Sequence, residues 1–328
     1  MNKLLPLILA LVLFGQGQAS AVNIIEIYDG GTPPTNSIGG GNLTNICHQA
    51  CLVWETIFPG TNVIKIHFLY KPIGSGGHDL ITQGGTPSRE TEGRVYFNND
   101  NVNGHDRYYL PTNCFNTAEY TNGYREESFD FGCGPVNETR VFSGGPVGNG
   151  QNINMFNVAL HEIGHVLNMS VSNNVFLAQR TNNTIPIRSP VPYAGSVIPL
   201  QPNNAHIDYM PWPYQSRTVM NGSFAAGELE FPSIADIITL AQLSGYTNMV
   251  LHDLTSLPQL RQSLVKQNGT ACILVSWDQK LVSYTLQQCT DMSGTWANVK
   301  KTPTLANGVY SVMVPLSGSQ CLFRLKSN

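Results

Sequence analysis

Apolar and polar positions repeat with two different periods along the 328-residue chain. In TNICHQACLVWETIFPG, Ile46, Ala50, Val53 and Ile57 recur at helical spacing. Thr44 or Asn45 is placed to cap this helix and Pro59-Gly60 to end it. NVIKIHFLYKP then alternates Val63, Lys65 and His67 with Ile64, Ile66 and Phe68, which predicts a strand, and GRVYFNND predicts a second, shorter one. From about Gly74 to Asn154 the chain is mostly Gly, Asn, Thr and Pro, so long surface loops around small β pieces are expected. A second helix follows, with Phe156, Ala159, Leu160, Ile163 and Leu167 forming an apolar stripe. A third is predicted in FPSIADIITLAQLSGY, ending at Gly245.

Beyond residue 250 the pattern changes. TACILVSW, LVSYTLQQC, GVYSVMVPL and CLFRLK are short apolar or alternating runs separated by turn residues, which predicts a small all-β sandwich. The expected architecture is α+β: a first domain over 22–250, a linker over 251–267 and an all-β module over 268–328. No internal repeat is visible.

The first 21 residues change the picture of where the chain works. Lys3, an apolar run from Leu4 to Phe14 and small residues at Ala19 and Ala21 read as a signal peptide cleaved near Ala21, so a secreted chain is expected. No later run reaches the roughly 20 apolar residues of a membrane span. Charged residues make up only 12% and the net charge is −3, which gives no electrostatic footprint for nucleic acid or an anionic membrane. Seven cysteines in an exported chain predict disulfides with at least one cysteine left over, and Cys114 with Cys133 would close a short loop. N-x-S/T sequons begin at Asn42, Asn137, Asn168, Asn182, Asn221 and Asn268. Asn168 and Asn221 adjoin the candidate site described next, an awkward position for a glycan, which favours a bacterial source.

That site lies on the second helix. His161, Glu162 and His165 form H-E-x-x-H, which places two imidazoles one turn apart on one face with a carboxylate between them. The pattern suits a catalytic zinc, with Glu162 as general base toward a water whose pKa the metal lowers. Such a zinc takes a third protein ligand. The compact metzincin pattern, which this motif resembles, would put a glycine at 168 and a histidine at 171, but the chain has Asn168 and Val171. Among the remaining histidines, His48 and His67 fall on the first helix and strand, His78 and His105 in the loop-rich region, and His252 beyond the third helix. His206 stands out because it lies after the motif helix and Met220 follows it in RTVMNG. Glu228 or Glu230 in GELEFP is the alternative third ligand, and Asp208 is expected to hydrogen-bond locally.

HEIGH at 161–165, His206 and SRTVM ending at Met220 together resemble a metzincin metalloprotease of the leishmanolysin-like kind, in which an insertion separates the helix from the third histidine. The resemblance spans about Ile153 to Tyr246. It implies a twisted mixed sheet, an active-site helix, a Met-turn and a closing helix. It also implies one Zn2+ held by His161, His165 and His206, with Glu162 as base and Met220 in the Met-turn. The implied activity is secreted, zinc-dependent endopeptidase action on a protein or peptide, with GRVYFNND as the edge strand that pairs with substrate. Asn168 in place of glycine, and the lack of a tyrosine after Met220, depart from the pattern.

A calcium requirement has no motif behind it, since NNDNVNGHD lacks a calcium-loop spacing. No inhibitory pro-segment is expected. Trp277, Trp296 and Phe323 could offer a surface or a carbohydrate a flat aromatic face; in so small a module, filling the core is the expected role. The competing expectation is an exported binding or adhesion protein with a non-catalytic zinc.

Overall fold

The computed structural model describes residues 22–327 except 60, 101–106, 126–127, 131–134, 138–140, 147–151, 189–192, 203–204, 209–217, 248, 250–260, 268–269, 279–283, 290–295, 307–308 and 316–321. The segment read as a signal peptide, His105, Cys133 and His252 therefore lie outside the described residues. So does most of NNDNVNGHD.

The chain is α+β. Strands β1 (Val22–Gly30), β2 (Asn62–Lys71), β3 (Gly77–Gly84) and β4 (Arg89–Asn98) form one sheet in the order β1-β2-β4-β3. β1, β2 and β4 run parallel, and β3 runs antiparallel at the edge. The predicted alternation sets the sheet's two faces: Ile64, Ile66 and Phe68 of β2 and Val95 and Phe97 of β4 are buried, whereas Ile25 and Val63 are exposed.

Helices α1 (Leu43–Ile57) and α2 (Met155–Val166) share the core formed by the buried face. The Trp54 indole N–H ties them together by donating to the Leu160 carbonyl at 3.0 Å. Asn42 caps α1, two positions before Thr44, the nearer of the expected candidates, accepting from the Asn45 N–H. Every residue of α2 is buried, so the amphipathic stripe read from its sequence is part of a helix enclosed all round. A short helix, α3 (Asn174–Gln179), and then α4 (Ile234–Ser244) follow. α4 starts at a Ser233–Asp236 capping box and stops at Gly245, whose φ of +63° suits a residue without Cβ.

Two sequence expectations are corrected here. GRVYFNND belongs to β4, an inner strand paired on both sides. The edge is β3, GHDLITQG, in a stretch expected to be loop. The expected linker carries a strand at Arg261–Gln267, paired with Thr270–Asp278. That strand belongs to a four-stranded antiparallel sheet, and a three-stranded sheet shares its separate core of Val275, Trp277, Leu286, Val312, Phe323 and neighbours. Trp277 and Phe323 thus fill a core and do not form an exposed platform; Trp296 is half-buried. Cys47, Cys51 and Cys114 are buried thiols of the first core, and Cys272 and Cys289 are buried in the second unit. The expected Cys114–Cys133 bridge involves a residue outside the described set. Among the described residues no helix is long and apolar enough to cross a membrane.

Candidate metal centre

His161 and His165 stand one turn apart on α2, with His165 Nε2 3.0 Å from His161 Nε2. His206 arrives from a separate segment. An isolated bridge between Leu200 and Ile207 and a bond from the Gln201 N–H to the His206 carbonyl (2.9 Å) hold its backbone. The Ile207 N–H donates to the Met220 carbonyl at 2.9 Å, so the turn that carries Met220 also places the third imidazole. His206 Nε2 lies 3.2 Å from His161 Nε2. One nitrogen from each of the three rings falls within 4.8 Å of the others, the one such group of His, Cys, Asp or Glu among the described residues. Glu228 and Glu230 are not in it. The Glu230 N–H and the Glu228 carbonyl are instead bonded to the Asn157 side chain, and Glu230 pairs with Val141.

The outer ring nitrogens decide what the inner ones can do. His161 Nδ1 is 2.6 Å from the Val219 carbonyl and His165 Nδ1 is 2.5 Å from the Met169 carbonyl. A carbonyl only accepts, so each Nδ1 carries the proton and each Nε2 is left with a lone pair. Two lone pairs facing each other at 3.0 Å in a buried place repel unless a cation lies between them. Nitrogens about 2.0–2.1 Å from a tetrahedral zinc would stand roughly 3.3 Å apart, close to the spacings here. Burial, helped by the neighbouring His206, lowers His161 to about 3, against the opposing pull of the Val219 carbonyl. Burial pushes His165 well below and His206 below the usual histidine value. All three rings are therefore neutral at physiological pH, as metal ligation requires.

Glycines make room for this arrangement. A Cβ on Gly164 would stand 2.1 Å from Met220 Sδ, and one on Gly222 would stand 2.9 Å from His206 Nδ1. Met220, fully buried, thus lies directly against the backbone of α2 beneath the histidines. Phe224 sets its ring edge-on to His161 at 5.1 Å. Glu162 is 5% exposed, and the main chain leading into β3 passes so close that a Cβ on Gly76 would meet Glu162 Oε1 at 2.9 Å.

Three supporting residues escaped the sequence reading. Asp236 of α4 accepts from the Val219 and Met220 N–H groups, both at 2.9 Å, and from the Ser233 N–H and hydroxyl. Burial raises its carboxyl, and these bonds oppose the rise. His78 and Glu90 form a buried pair beside His165. The capping pattern S-x-x-D was the one available signal for Asp236; nothing in the spacing of His78 and Glu90 announces their meeting.

Asn168, where a glycine was expected, has φ +81° and connects three segments. Its carboxamide oxygen accepts from the Glu90 N–H and the Asn173 amide, and its own amide donates to Ser244 Oγ. Asparagine tolerates this left-handed backbone better than most residues and adds bonds that glycine could not. Asp208, expected to bond locally, donates its backbone N–H to the Pro199 carbonyl.

Comparison with protein-family models, with curated protein sequences and with solved structures found no match to this chain.

Proposed function

We propose that the chain is a secreted zinc-dependent endopeptidase of the metzincin type. The observation that carries the proposal is the convergence of the His161, His165 and His206 lone pairs, two of them fixed by carbonyl-bound Nδ1–H groups, beside the Glu162 carboxylate. The donor set fits zinc: three neutral imidazoles in a site closed on the protein side, with half-buried His206 toward solvent. Further support comes from Met220 under the histidines, α4 bonded to the Met220 turn, and an antiparallel edge strand leading past Glu162.

His161, His165 and His206 would hold the ion. Bound there, zinc would supply a Lewis acid for the scissile carbonyl and lower the pKa of the attacking water. Glu162 takes the proton from that water and delivers it to the departing amine nitrogen. Its near-complete burial withholds competing solvent from the carboxylate. β3, the edge strand among the described residues, in place of the inner strand that carries GRVYFNND, would offer backbone groups to which an extended peptide pairs.

The test is Glu162→Gln in the mature protein, assayed for casein hydrolysis and for metal content by elemental analysis. Loss of about 10²–10⁴ in turnover with one zinc retained is expected. Hydrolysis at the wild-type rate would remove Glu162 from the chemistry. A wild type that holds zinc and cleaves nothing would favour the exported binding protein.

A further inference from the structure

We propose that the buried His78–Glu90 pair pins the edge strand β3 in register as it passes Glu162, making both of them positioning residues for an extended substrate. This rests on the peptidase reading for the substrate, but the pinning itself stands on the geometry alone.

The problem the pair solves is local. Gly76 and Gly77 lead β3 past Glu162, and neither could be another residue without a shift. A Cβ on Gly76 would meet Val158 Cγ1 at 2.8 Å as well as the Glu162 carboxylate, and one on Gly77 would stand 2.2 Å from the Tyr96 ring. Two successive glycines have the greatest backbone freedom to lose. They lie at the start of a strand that, among the described residues, is paired on one side only. The far half of β3 gives little help, because its ladder with β4 is irregular between Leu80 and Thr82 and again between Thr82 and Gln83.

His78 is the first residue of β3 with a side chain to hold. That side chain is 4% exposed and Nε2 lies 2.8 Å from Glu90 Oε1, while the Glu90 side chain is fully buried. The imidazole faces His165, with ring centres 6.2 Å apart and planes 25° apart. Glu90 is held in turn by its N–H bond to Asn168, the residue that joins α2 to the end of α4. Gly93 leaves space for the carboxylate, since a Cβ there would stand 2.0 Å from Oε1.

An apolar pair could fill this space, but it would not fix register as sharply. A one-residue slip of β3 turns His78 outward and leaves Glu90 buried without its partner. Burial already pushes the Glu90 carboxyl up to about 7 against the pull of His78, and Oε2 has no hydrogen-bond partner among the described residues. The pair therefore specifies one alignment more than it adds to stability.

The experiment is hydrogen exchange of the 77–84 amides in the full-length mature protein, wild type against His78→Leu and Glu90→Gln. Zinc content and the KM and kcat for a peptide substrate are measured on the same samples. His78→Leu is expected to speed exchange in 77–84 by about tenfold or more and to raise KM by a similar factor, with kcat and zinc little changed. Glu90→Gln, which keeps an acceptor for His78, should stay within about threefold of wild type on both readouts. Should His78→Leu fail to fold, His78→Phe/Glu90→Leu removes the stranded carboxylate and is read in the same way. Unchanged exchange in 77–84, or zinc loss without faster exchange, would overturn the proposal. An inactive, zinc-loaded wild type would remove the peptidase reading, and the exchange rates would still decide whether the pair pins the strand.

Discussion

Gly164 shows how much of the candidate site rests on atoms that are not there. Its missing Cβ lets Met220 Sδ lie against α2, and both residues are buried. Gly164→Ala should therefore cost about 1–3 kcal/mol of stability by overpacking. The cost should shrink when Met220→Ala is added, because the two changes share one space. Thermal denaturation of the single and double variants measures both; simple additivity would contradict the contact.

Protonation gives a second prediction at this scale. The three histidines have folded-state pKa values below the unfolded value of about 6.5. The unfolded chain then binds protons first as pH falls, so the metal-free protein loses stability from about pH 7 downward, by up to about 1.4 kcal/mol per pH unit for each imidazole. Melting of the metal-free protein between pH 7 and 5 should show this slope, and His206→Ala should make it shallower. Asn168 and Asn221, each 1% exposed, are closed to glycosylation in the folded chain despite their sequons.

At the scale of elements, the sequence was most informative where periodicity and capping agree. α1, β2, α2 and α4 stand where their patterns put them, and H-E-x-x-H falls on α2. His206 was legible only through its relation to the RTVM turn, because its own neighbours carry no period. β3 was not legible at all. Its leading glycines are there for Glu162 and Tyr96, and glycines read in isolation signal a loop. The α1 cap was expected at Thr44 or Asn45, at least two positions past Asn42, because a polar run offers several candidates and only tertiary packing chooses among them.

Asp236 joins two elements and carries a prediction of its own. Asp236→Ala removes acceptors from the buried Val219 and Met220 N–H groups, and Val219 is the residue whose carbonyl orients His161. The variant should lose about 2–4 kcal/mol of stability and bind zinc about 10–100-fold more weakly. Chelator competition checks the second figure; unchanged zinc affinity would show that the turn holds its shape without Asp236.

Among the described residues of the molecule the buried apolar side chains form two clusters, one drawn from residues 22–246 and the other from residues 275–325. The candidate metal centre draws only on the first. Trp277 lies in the second, stacked on Tyr310 at 5.9 Å. Trp277→Ala should cost that cluster about 3–5 kcal/mol while leaving zinc stoichiometry unchanged. The change of pattern after residue 250 lies in the interval between the two clusters, and Arg261–Gln267 is a strand where a linker was expected. Aromatic residues alone could not tell core from binding face, since either role requires the same rings.

The most direct test of the account is zinc stoichiometry, by elemental analysis after dialysis, of the mature wild type and His206→Ala at pH 7.5. One zinc per wild-type chain and little or none in the variant is expected, because two imidazoles alone retain a metal poorly. A variant that keeps its zinc at wild-type affinity would contradict the three-histidine centre and the function proposed from it.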